Sequence, residues 1–566
     1  MNRPVSTRHW LYLPAILLCS MLDPEATAQT GDFAAQELQR QQERERALRE
    51  QQERTPDVRL PPAIPETIER LPKSETPCFM IGTIVLKSDA QQFDWALKAA
   101  DPIDDPASGR CLGSNGINLV MKRIQNAIVA RGFVTTRVLA EAQDLQTGIL
   151  TLTVIAGRIR AIHFSDDSDD RANAWNAMPA RPGDLLNLRD IEQALENFKR
   201  LPTAEADIKV VPGEQAGDSD LVITWKQSFP LRLTLSADDG GLQSTGKYQG
   251  SVTVAADNPL GLNDLFYASF NHNLDGRGER GTRGYTAHYS LPWGYWLLGA
   301  TASANRYHQT VAGASQSYDY GGTSENYEIR LTRTLRRDAT SRTWASLRGY
   351  FTESSNFIDD TEIEVQHRRM SGWEAALGQR TFIAKSTLDA KLAYRHGTGA
   401  FAALPAPEDA FGEGTARPII VSAEAQLTVP FMLGEQRLRL TSDWRAQWNR
   451  TPLVPQDRFA IGGRYTVRGF DGESVLLAER GWLIRNGLSI ALGEGGHELY
   501  AGVDYGEVGG QSAALLVGTR LTGAVIGARG NYGGLYYDVF AGRPLNKPQG
   551  FETADITAGF NLTLSF

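Results

Sequence analysis

Cysteine is scarce: three residues in a chain of 566, at positions 19, 78 and 111. That excludes a disulfide-dense scaffold and a four-cysteine zinc module. The eight histidines are scattered and form no His-Glu-x-x-His pair, so no helical metalloprotease site can be assembled. No apolar run reaches the roughly 20 residues that a membrane-spanning helix needs. Basic charge is in deficit, 58 Lys and Arg against 66 Asp and Glu, for a formal net charge of −8. A nucleic-acid binder needs the opposite field. Gly493-Glu494-Gly495-Gly496 follows a strand-like run, but Glu498 stands where a dinucleotide fingerprint has its third glycine, so a hairpin turn is the reading. Acid, base and nucleophile do not come together anywhere in the pattern. No enzymatic activity, cofactor or metal is expected.

The N-terminus carries a processing signal. Arg3, Arg8 and His9 precede an apolar run from Trp10 to Leu22, interrupted by Pro14, and Ala26-Thr27-Ala28 supplies a small-x-small cleavage site. Residues 1–28 are read as a signal peptide, removed after Ala28. Leu18 is a poor fit for the small residue that a lipoprotein signal has before its cysteine. Export without an anchoring helix leaves three destinations: the periplasm, the outside, or an outer membrane entered as a barrel. Cys78 and Cys111 are then the only cysteines left. In an oxidising compartment such a pair predicts a disulfide, contributing about 3–4 kcal/mol by the chain-entropy model. The alternative is two free buried thiols.

Residues 29–54 are rich in Gln, Glu and Arg, all good helix formers. Phe33, Leu38 and Leu48 do not make a heptad, which argues against a coiled coil. A helix polar all round belongs in water or in a polar cavity. Residues 55–77 form a linker whose prolines 56, 61, 62, 65, 72 and 77 favour an extended path. Residues 78–156 read strand, helix, helix, strand, strand. The strands are 79–86, 133–139 and 150–155. A short helix covers 92–99, and Ile117, Val120, Ile124 and Ile128 recur at helical spacing until Gly132 stops them. Residues 157–228 are expected to return to the same order. A strand at 159–164 is followed by a helix with Leu188, Ile191, Leu195 and Phe198 on one face, then by strands at 208–211 and 221–225. Two units with one element order form a tandem repeat.

From 229 to 566 helical periodicity vanishes. Segments alternate apolar and polar, separated by Gly, Asn, Asp and Pro. In the last, Ile556, Ala558, Phe560, Leu562, Leu564 and Phe566 share one face. In another, Leu438, Leu440, Trp444, Ala446 and Trp448 oppose Arg437, Arg439, Thr441, Asp443 and Arg445. A β-sandwich also alternates. Three features favour a transmembrane barrel: the charged polar faces, the persistence of the pattern to the C-terminus, and aromatics such as Trp293, Tyr295 and Trp296 near strand ends. About sixteen segments can be counted, an even number suited to closure, and closure leaves no sheet edge exposed to lipid. In the thirteenth segment Leu499, Ala501, Val503 and Tyr505 take the lipid-facing parity. Asp504 then faces the lumen, flanked on its own face by Gly502 and Gly506. Two glycines beside an inward carboxylate leave room for another piece of backbone, and an arginine on an inward loop would be a bidentate partner. Parity alone nominates Asp504 as an internal anchor.

Several motifs together carry a resemblance. They are Val467-Arg468-Gly469-Phe470 before the twelfth segment, Gly502-Val503-Asp504-Tyr505-Gly506 in the thirteenth, Pro77-Cys78-Phe79, Gly109-Arg110-Cys111-Leu112-Gly113, Arg131-Gly132-Phe133-Val134-Thr135-Thr136, and Asp257-Asn258-Pro259-Leu260-Gly261-Leu262-Asn263-Asp264. Over essentially the whole mature chain the sequence resembles the outer-membrane transporters of two-partner secretion, the hemolysin-activator and filamentous-hemagglutinin-exporter type of the Omp85 superfamily. The resemblance implies a transmembrane antiparallel β-barrel of about sixteen strands, preceded by two α+β POTRA domains (78–156 and 157–228) and an N-terminal plug helix (29–54). It implies that loop 451–477 folds into the barrel and that Arg468 pairs with Asp504. The open alternative is that Arg468 meets another lumenal carboxylate while Asp504 pairs with Arg439 or Arg485. Phe566 fits the C-terminal aromatic that the barrel assembly machinery reads.

The implied function is a pore that recognises an unfolded partner exoprotein in the periplasm and passes it to the cell surface. The partner would be a large β-helical protein with an N-terminal secretion domain: a hemolysin, an adhesin or a contact-dependent toxin. Outer-membrane lipids surround the barrel, which is expected to be monomeric, and no nucleic acid is involved. A barrel insertase of the same superfamily is the alternative, but such proteins usually carry more POTRA domains and lack a plug helix. A TonB-dependent receptor would need a globular plug and about twenty-two strands.

Overall fold

A computed structural model describes residues 24–53, 56–60, 70–88, 91–275, 278 and 280–566. The expected leader lies, through residue 23, outside the described residues. Helix α1 (Pro24–Gln52) comes first and starts ahead of the expected mature terminus at Gln29. Its helix formers are helped by pairs one turn apart, Gln41 with Glu45 at 3.2 Å and Arg46 with Glu50 at 3.2 Å.

The first unit is built around α2 (Ser114–Ala130). Val120, Ile124 and Ile128 bury against Phe93, Leu150 and Leu152. Gly113 precedes α2 and has no side chain to cap it. The carboxylate of Glu75 does so instead, accepting the N–H groups of Gly113 (2.7 Å), Asn115 (3.0 Å) and Gly116 (3.0 Å). The apolar run 79–86, expected as one strand, is two. Phe79–Ile81 pairs antiparallel with Arg110–Leu112, while Thr83–Ser88 runs parallel to Ile149–Ile155. Gly82 is the break, and its N–H donates to the Gly148 carbonyl at 2.8 Å. Cys78 and Cys111 are bonded and join the first strand pair, their Cα atoms 5.3 Å apart. Buried Asp105 accepts the Leu71 N–H at 2.8 Å and pairs with Arg123 and Arg110. Those contacts, the Leu71 amide first, hold its carboxyl below the ordinary range.

The second unit has a sheet in the order Arg158–Phe164, Asp218–Gln227, Ala204–Pro212. It is covered by α3 (Leu188–Lys199). Ile191, Leu195 and Phe198 pack on Leu221, Ile223 and Trp225, as the helical spacing predicts. The short first helix of the other unit has no counterpart here, since 165–187 is turns and irregular backbone. The units meet at Gly132 (φ +99°), where a Cβ would lie 2.3 Å from Asn187 Oδ1. That oxygen caps α3 through the Arg189 N–H at 2.9 Å.

The rest is a closed antiparallel barrel of sixteen strands, from Leu231–Asp238 to Thr557–Ser565. The last strand pairs with the first, Leu564 opposite Leu235, and the Phe566 N–H donates to the Leu233 carbonyl at 2.9 Å. Alternation holds as expected in the thirteenth strand (His497–Gly509): Leu499 and Val503 are 48% and 51% exposed, Asp504 only 1%. Short turns lie at the end bearing the two units and long loops at the other. Gly493–Gly496 forms one of the turns. The aromatics at 293–296 are only partly a lipid girdle. Trp293 stacks on Trp175 of the second unit at 5.7 Å, and the Tyr295 hydroxyl donates to Asp190 at 2.5 Å.

Candidate functional site

Between the eleventh strand (Gln436–Asn449) and the twelfth (Arg480–Leu492), the chain folds back into the barrel. The loop carries its own small core: Ile461, Val467, Phe470 and Leu476 bury against Leu483, Val508, Leu521 and Phe551 of the wall and a neighbouring loop. Phe470 meets Phe551 edge-on at 5.8 Å. Arg468 reaches the thirteenth strand. Its Nε donates to Asp504 Oδ2 at 2.7 Å, its Nη2 to Asp504 Oδ1 at 2.7 Å, and its backbone N–H to Oδ2 at 2.9 Å. The bidentate geometry is the strong form of the pair. The alternative partners have other duties. Arg439 binds Glu498, while Arg485 lies 3.9 Å from Asp504 and donates to the Tyr465 carbonyl at 3.2 Å.

The wall is shaped to admit this loop. A Cβ on Gly502 would lie 2.6 Å from Arg468 Nη2, and one on Gly506 2.8 Å from Val467 Cγ2. Two further glycines, not singled out from sequence, matter more. A Cβ on Gly523 would lie 1.9 Å from the Arg468 carbonyl oxygen, and one on Gly542 2.8 Å from Gly469 Cα. Gly469 itself has φ +100°. Four glycines on strands thirteen to fifteen thus form a floor, Gly502 and Gly506 under loop side chains and Gly523 and Gly542 directly against loop backbone. A second tether, also missed, joins Arg464 to Asp239 at 3.1 Å and to the Phe560 carbonyl at 3.2 Å.

Helix α1 threads the lumen. Its side chains reach several parts of the wall: Glu37 accepts from Thr245 at 2.6 Å, Arg44 donates to Gln249 at 3.2 Å, and Glu43 pairs with Arg445 at 2.9 Å. Arg46 pairs with Glu424 at 2.9 Å and Arg49 with Glu328 at 3.1 Å. At the end nearest the two units, Glu53 Oε1 lies 2.6 Å from His288 Nε2. The helix also touches the loop, through Gln39 to the Arg458 carbonyl (2.9 Å) and Arg40 to the Gly472 carbonyl.

A plugged barrel with an arginine-locked inward loop and two α+β units has close relatives. The family model described as haemolysin secretion/activation protein ShlB/FhaC/HecB matches residues 217–530, a ShlB-type POTRA model matches 84–157, and a second POTRA model matches 158–212. The chain belongs to the ShlB/FhaC/HecB family. It is 39% identical over 552 residues, 94% of each chain, to the outer membrane transporter CdiB-2 of Burkholderia pseudomallei. It is 26% identical to the Escherichia coli outer membrane transporter CdiB, over 99% of this chain and 94% of that one. The solved structure of CdiB from Acinetobacter baumannii superposes with a TM-score of 0.83 at 29% identity, covering 97% of this chain and all of that one. This ShlB/FhaC/HecB member is an outer-membrane transporter of two-partner secretion, with its POTRA domains in the periplasm.

In this family member the second POTRA domain is fastened to the barrel through the 257–264 motif and by residues, Asn173 and Asn176 among them, that the sequence does not single out. The 257–264 turn is held by Asn173 Nδ2 to the Gly261 carbonyl (2.9 Å), Asn176 Nδ2 to the Leu262 carbonyl (2.5 Å) and Asn263 Nδ2 to the Asn173 carbonyl (2.8 Å). Asp257, fully buried, accepts from the Thr203 N–H at 3.0 Å and from Arg232. The polar face of α3 is buried as well, Glu192 and Glu196 pairing with Arg337 and Arg342 of the barrel rim at 2.6–3.0 Å.

Proposed function

We propose that the transporter captures one unfolded exoprotein at its POTRA domains and threads it through the barrel after α1 has left the lumen. The observation that carries this reading is the chemistry of the plug. It is held mainly by polar and charged side chains in a polar channel, with Phe33, Leu38 and Leu48 as its few large apolar contacts, so it uncovers little apolar surface on leaving. The free edges of the POTRA sheets suit an extended segment added as a strand. The pairing of Arg468 with Asp504, supported by Val467, Gly469, Phe470, Gly502 and Gly506, keeps the inward loop on the wall while the plug moves. The Cys78–Cys111 bond staples the first POTRA domain. Phe566 is the residue that the barrel assembly machinery reads, residues 1–28 are the cleaved leader, and the barrel acts as a monomer in the lipid bilayer. The cargo is a large β-helical protein with an N-terminal secretion domain, a hemolysin, an adhesin or a contact-dependent toxin, whose folding outside the cell draws it through.

The test is export of the partner exoprotein. Cells lacking the chain should retain the exoprotein in the periplasm, and cells expressing it should display or release it. Surface export that continues without the chain would overturn the reading. So would a loss of other barrel proteins from the outer membrane with export unchanged, which would point to insertase activity instead.

A further inference from the structure

Residues 56–60 of the linker lie extended along α3. Their side chains alternate, with Pro56, Val58 and Leu60 half-buried and Asp57 and Arg59 exposed. Val58 and Leu60 pack against the core of the second POTRA domain. The backbone is bound at each step. The Leu60 N–H donates to Glu192 Oε1 at 3.0 Å and the Val58 N–H to Glu196 Oε1 at 3.4 Å. The Val58 carbonyl accepts from Arg337 Nη2 at 2.7 Å.

This seat reads little of the linker's sequence. It asks for two backbone N–H groups and a carbonyl at strand spacing, with apolar side chains two residues apart. Any extended segment of that pattern presents the same groups. These groups, the Glu192 acceptor and the Arg337 donor, are costly to leave unpaired, because Glu192 is 0% exposed and the Arg337 side chain 5%. Arg337 Nη1 is buried with no hydrogen-bond partner. The seat also spans a joint: the carboxylates belong to α3 and the guanidinium to the barrel rim. Past Pro56 the groove runs on along the free edge strand Ala204–Pro212, beside Lys199 and Lys226.

We propose that this seam is a binding site for an extended peptide with apolar residues two apart. At rest the linker fills it as a strap. A segment of the unfolded exoprotein displaces the strap, which loosens the tether of α1 and links cargo arrival to unplugging. The identity of the displacing segment rests on the transport reading above; the seat does not.

The experiment uses full-length, unreduced protein in lipid nanodiscs carrying Val58→Cys, with Leu60→Cys as an independent second site, and measures the rate of maleimide labelling. At rest, labelling should be about tenfold slower than at an exposed control, Asp57→Cys. A free peptide copying residues 54–62 has to compete with a tethered strap whose effective concentration is in the millimolar range. At several millimolar it should speed labelling severalfold, and the same peptide with serine in place of Val58 and Leu60 should not. The unfolded secretion domain of the exoprotein should act like the active peptide. Labelling at rest as fast as at Asp57→Cys, or no response to the peptide, overturns the seat. A secretion domain that binds without speeding labelling overturns the displacement. Should the peptide act while the secretion domain fails to bind at all, the seat stands and the transport reading falls.

Discussion

Replacing Asp504 with alanine removes the acceptor of three hydrogen bonds from Arg468 at once, and it also removes the nearest carboxylate to Arg485, 3.9 Å away. Two guanidiniums are then left facing each other in the wall. Arg468→Ala is a smaller injury. Asp504 keeps the Arg468 backbone N–H, and Arg485 can close the remaining distance. Hydrogen bonds to charged groups contribute about 1.5–3 kcal/mol each, and breaking a buried pair from one side costs about 3–5 kcal/mol. Arg468→Ala should therefore loosen the loop by about 2–3 kcal/mol and Asp504→Ala by about 4–5 kcal/mol, the higher end because only the neutral Asn486 carbonyl, 3.1 Å from Nη2, is left to accept from Arg468. Hydrogen exchange of the loop amides over 459–471 measures this directly. At 1.4 kcal/mol per decade, protection should fall about 50-fold in the first variant and about 1,000-fold in the second. The double variant should be no worse than Asp504→Ala, since the two residues act as one unit. All three should lower secretion while the barrel still assembles, seen as heat-modifiable migration. Equal losses of protection, or a milder effect of Asp504→Ala, would refute the reasoning, because they would mean that Arg485 plays no part.

Gly523→Ala brings a Cβ to 1.9 Å from the Arg468 carbonyl oxygen. It should abolish secretion while sparing barrel assembly, as a heat-modifiability gel would reveal. Deleting residues 29–54 should raise single-channel conductance in planar bilayers, and unchanged conductance would mean that the helix does not occlude the pore. Thiol labelling of denatured, unreduced protein should find neither Cys78 nor Cys111, and reduction should lower the stability of the first POTRA domain by about 3–4 kcal/mol. Asp105, its carboxyl held below the ordinary value of 3.8 chiefly by the Leu71 amide and then by Arg123, contributes stability that is present above that value and lost as pH falls through the lowered one. Asp105→Asn should flatten this acid-side loss in hydrogen exchange over 101–112, and an unchanged slope would assign the loss to other carboxylates.

The parts of this molecule that follow from one strand or one helix face were legible in the sequence. Parity put Asp504 inside, and Gly502 and Gly506 marked a place where backbone could approach. The spacing of Ile191, Leu195 and Phe198 gave the core face of α3. What depends on two distant segments meeting was not. Gly523 and Gly542 lie on neighbouring strands, and each alone reads as a weak spot in a strand; only the register of the sheet assembles them into a floor under Arg468 and Gly469. The polar face of α3 reads as solvated, because nothing local announces that Arg337 and Arg342 will cover Glu192 and Glu196. The run 79–86 is evenly apolar, so no signal but Gly82 marks the change of strand partner. On sequence alone, losing Arg468 or losing Asp504 is expected to act equally. The position of Arg485 breaks that symmetry, and parity could nominate it only as an alternative partner.

Two attachments of different kind share the lumen, and their chemistry sets the order in which they can come apart. Around α1 most contacts are ion pairs and hydrogen bonds. The Arg46 side chain is 41% exposed even when paired, and such pairs contribute roughly 0–1 kcal/mol each. Each can be exchanged for water singly, and the apolar surface uncovered on leaving is limited to Phe33 against Tyr307 and Tyr320, Leu38, and Leu48 beside the second POTRA core. The loop is held otherwise. Val467, Phe470 and Ile461 are buried, worth about 1.5–3 kcal/mol apiece, and the glycine floor leaves no room for water beneath Arg468. In the proposed opening the loop therefore outlasts the plug on the wall. The two are not independent, because Arg40 and Gln39 of the helix bind the Gly472 and Arg458 carbonyls of the loop. Departure of α1 strips those carbonyls of their donors and frees the loop margins, while the Arg468–Asp504 pair, on the far side of the loop core, keeps its partners. The opening proposed above is served by this division: mostly polar contacts on the part proposed to leave, and dry, glycine-fitted contacts on the part proposed to stay.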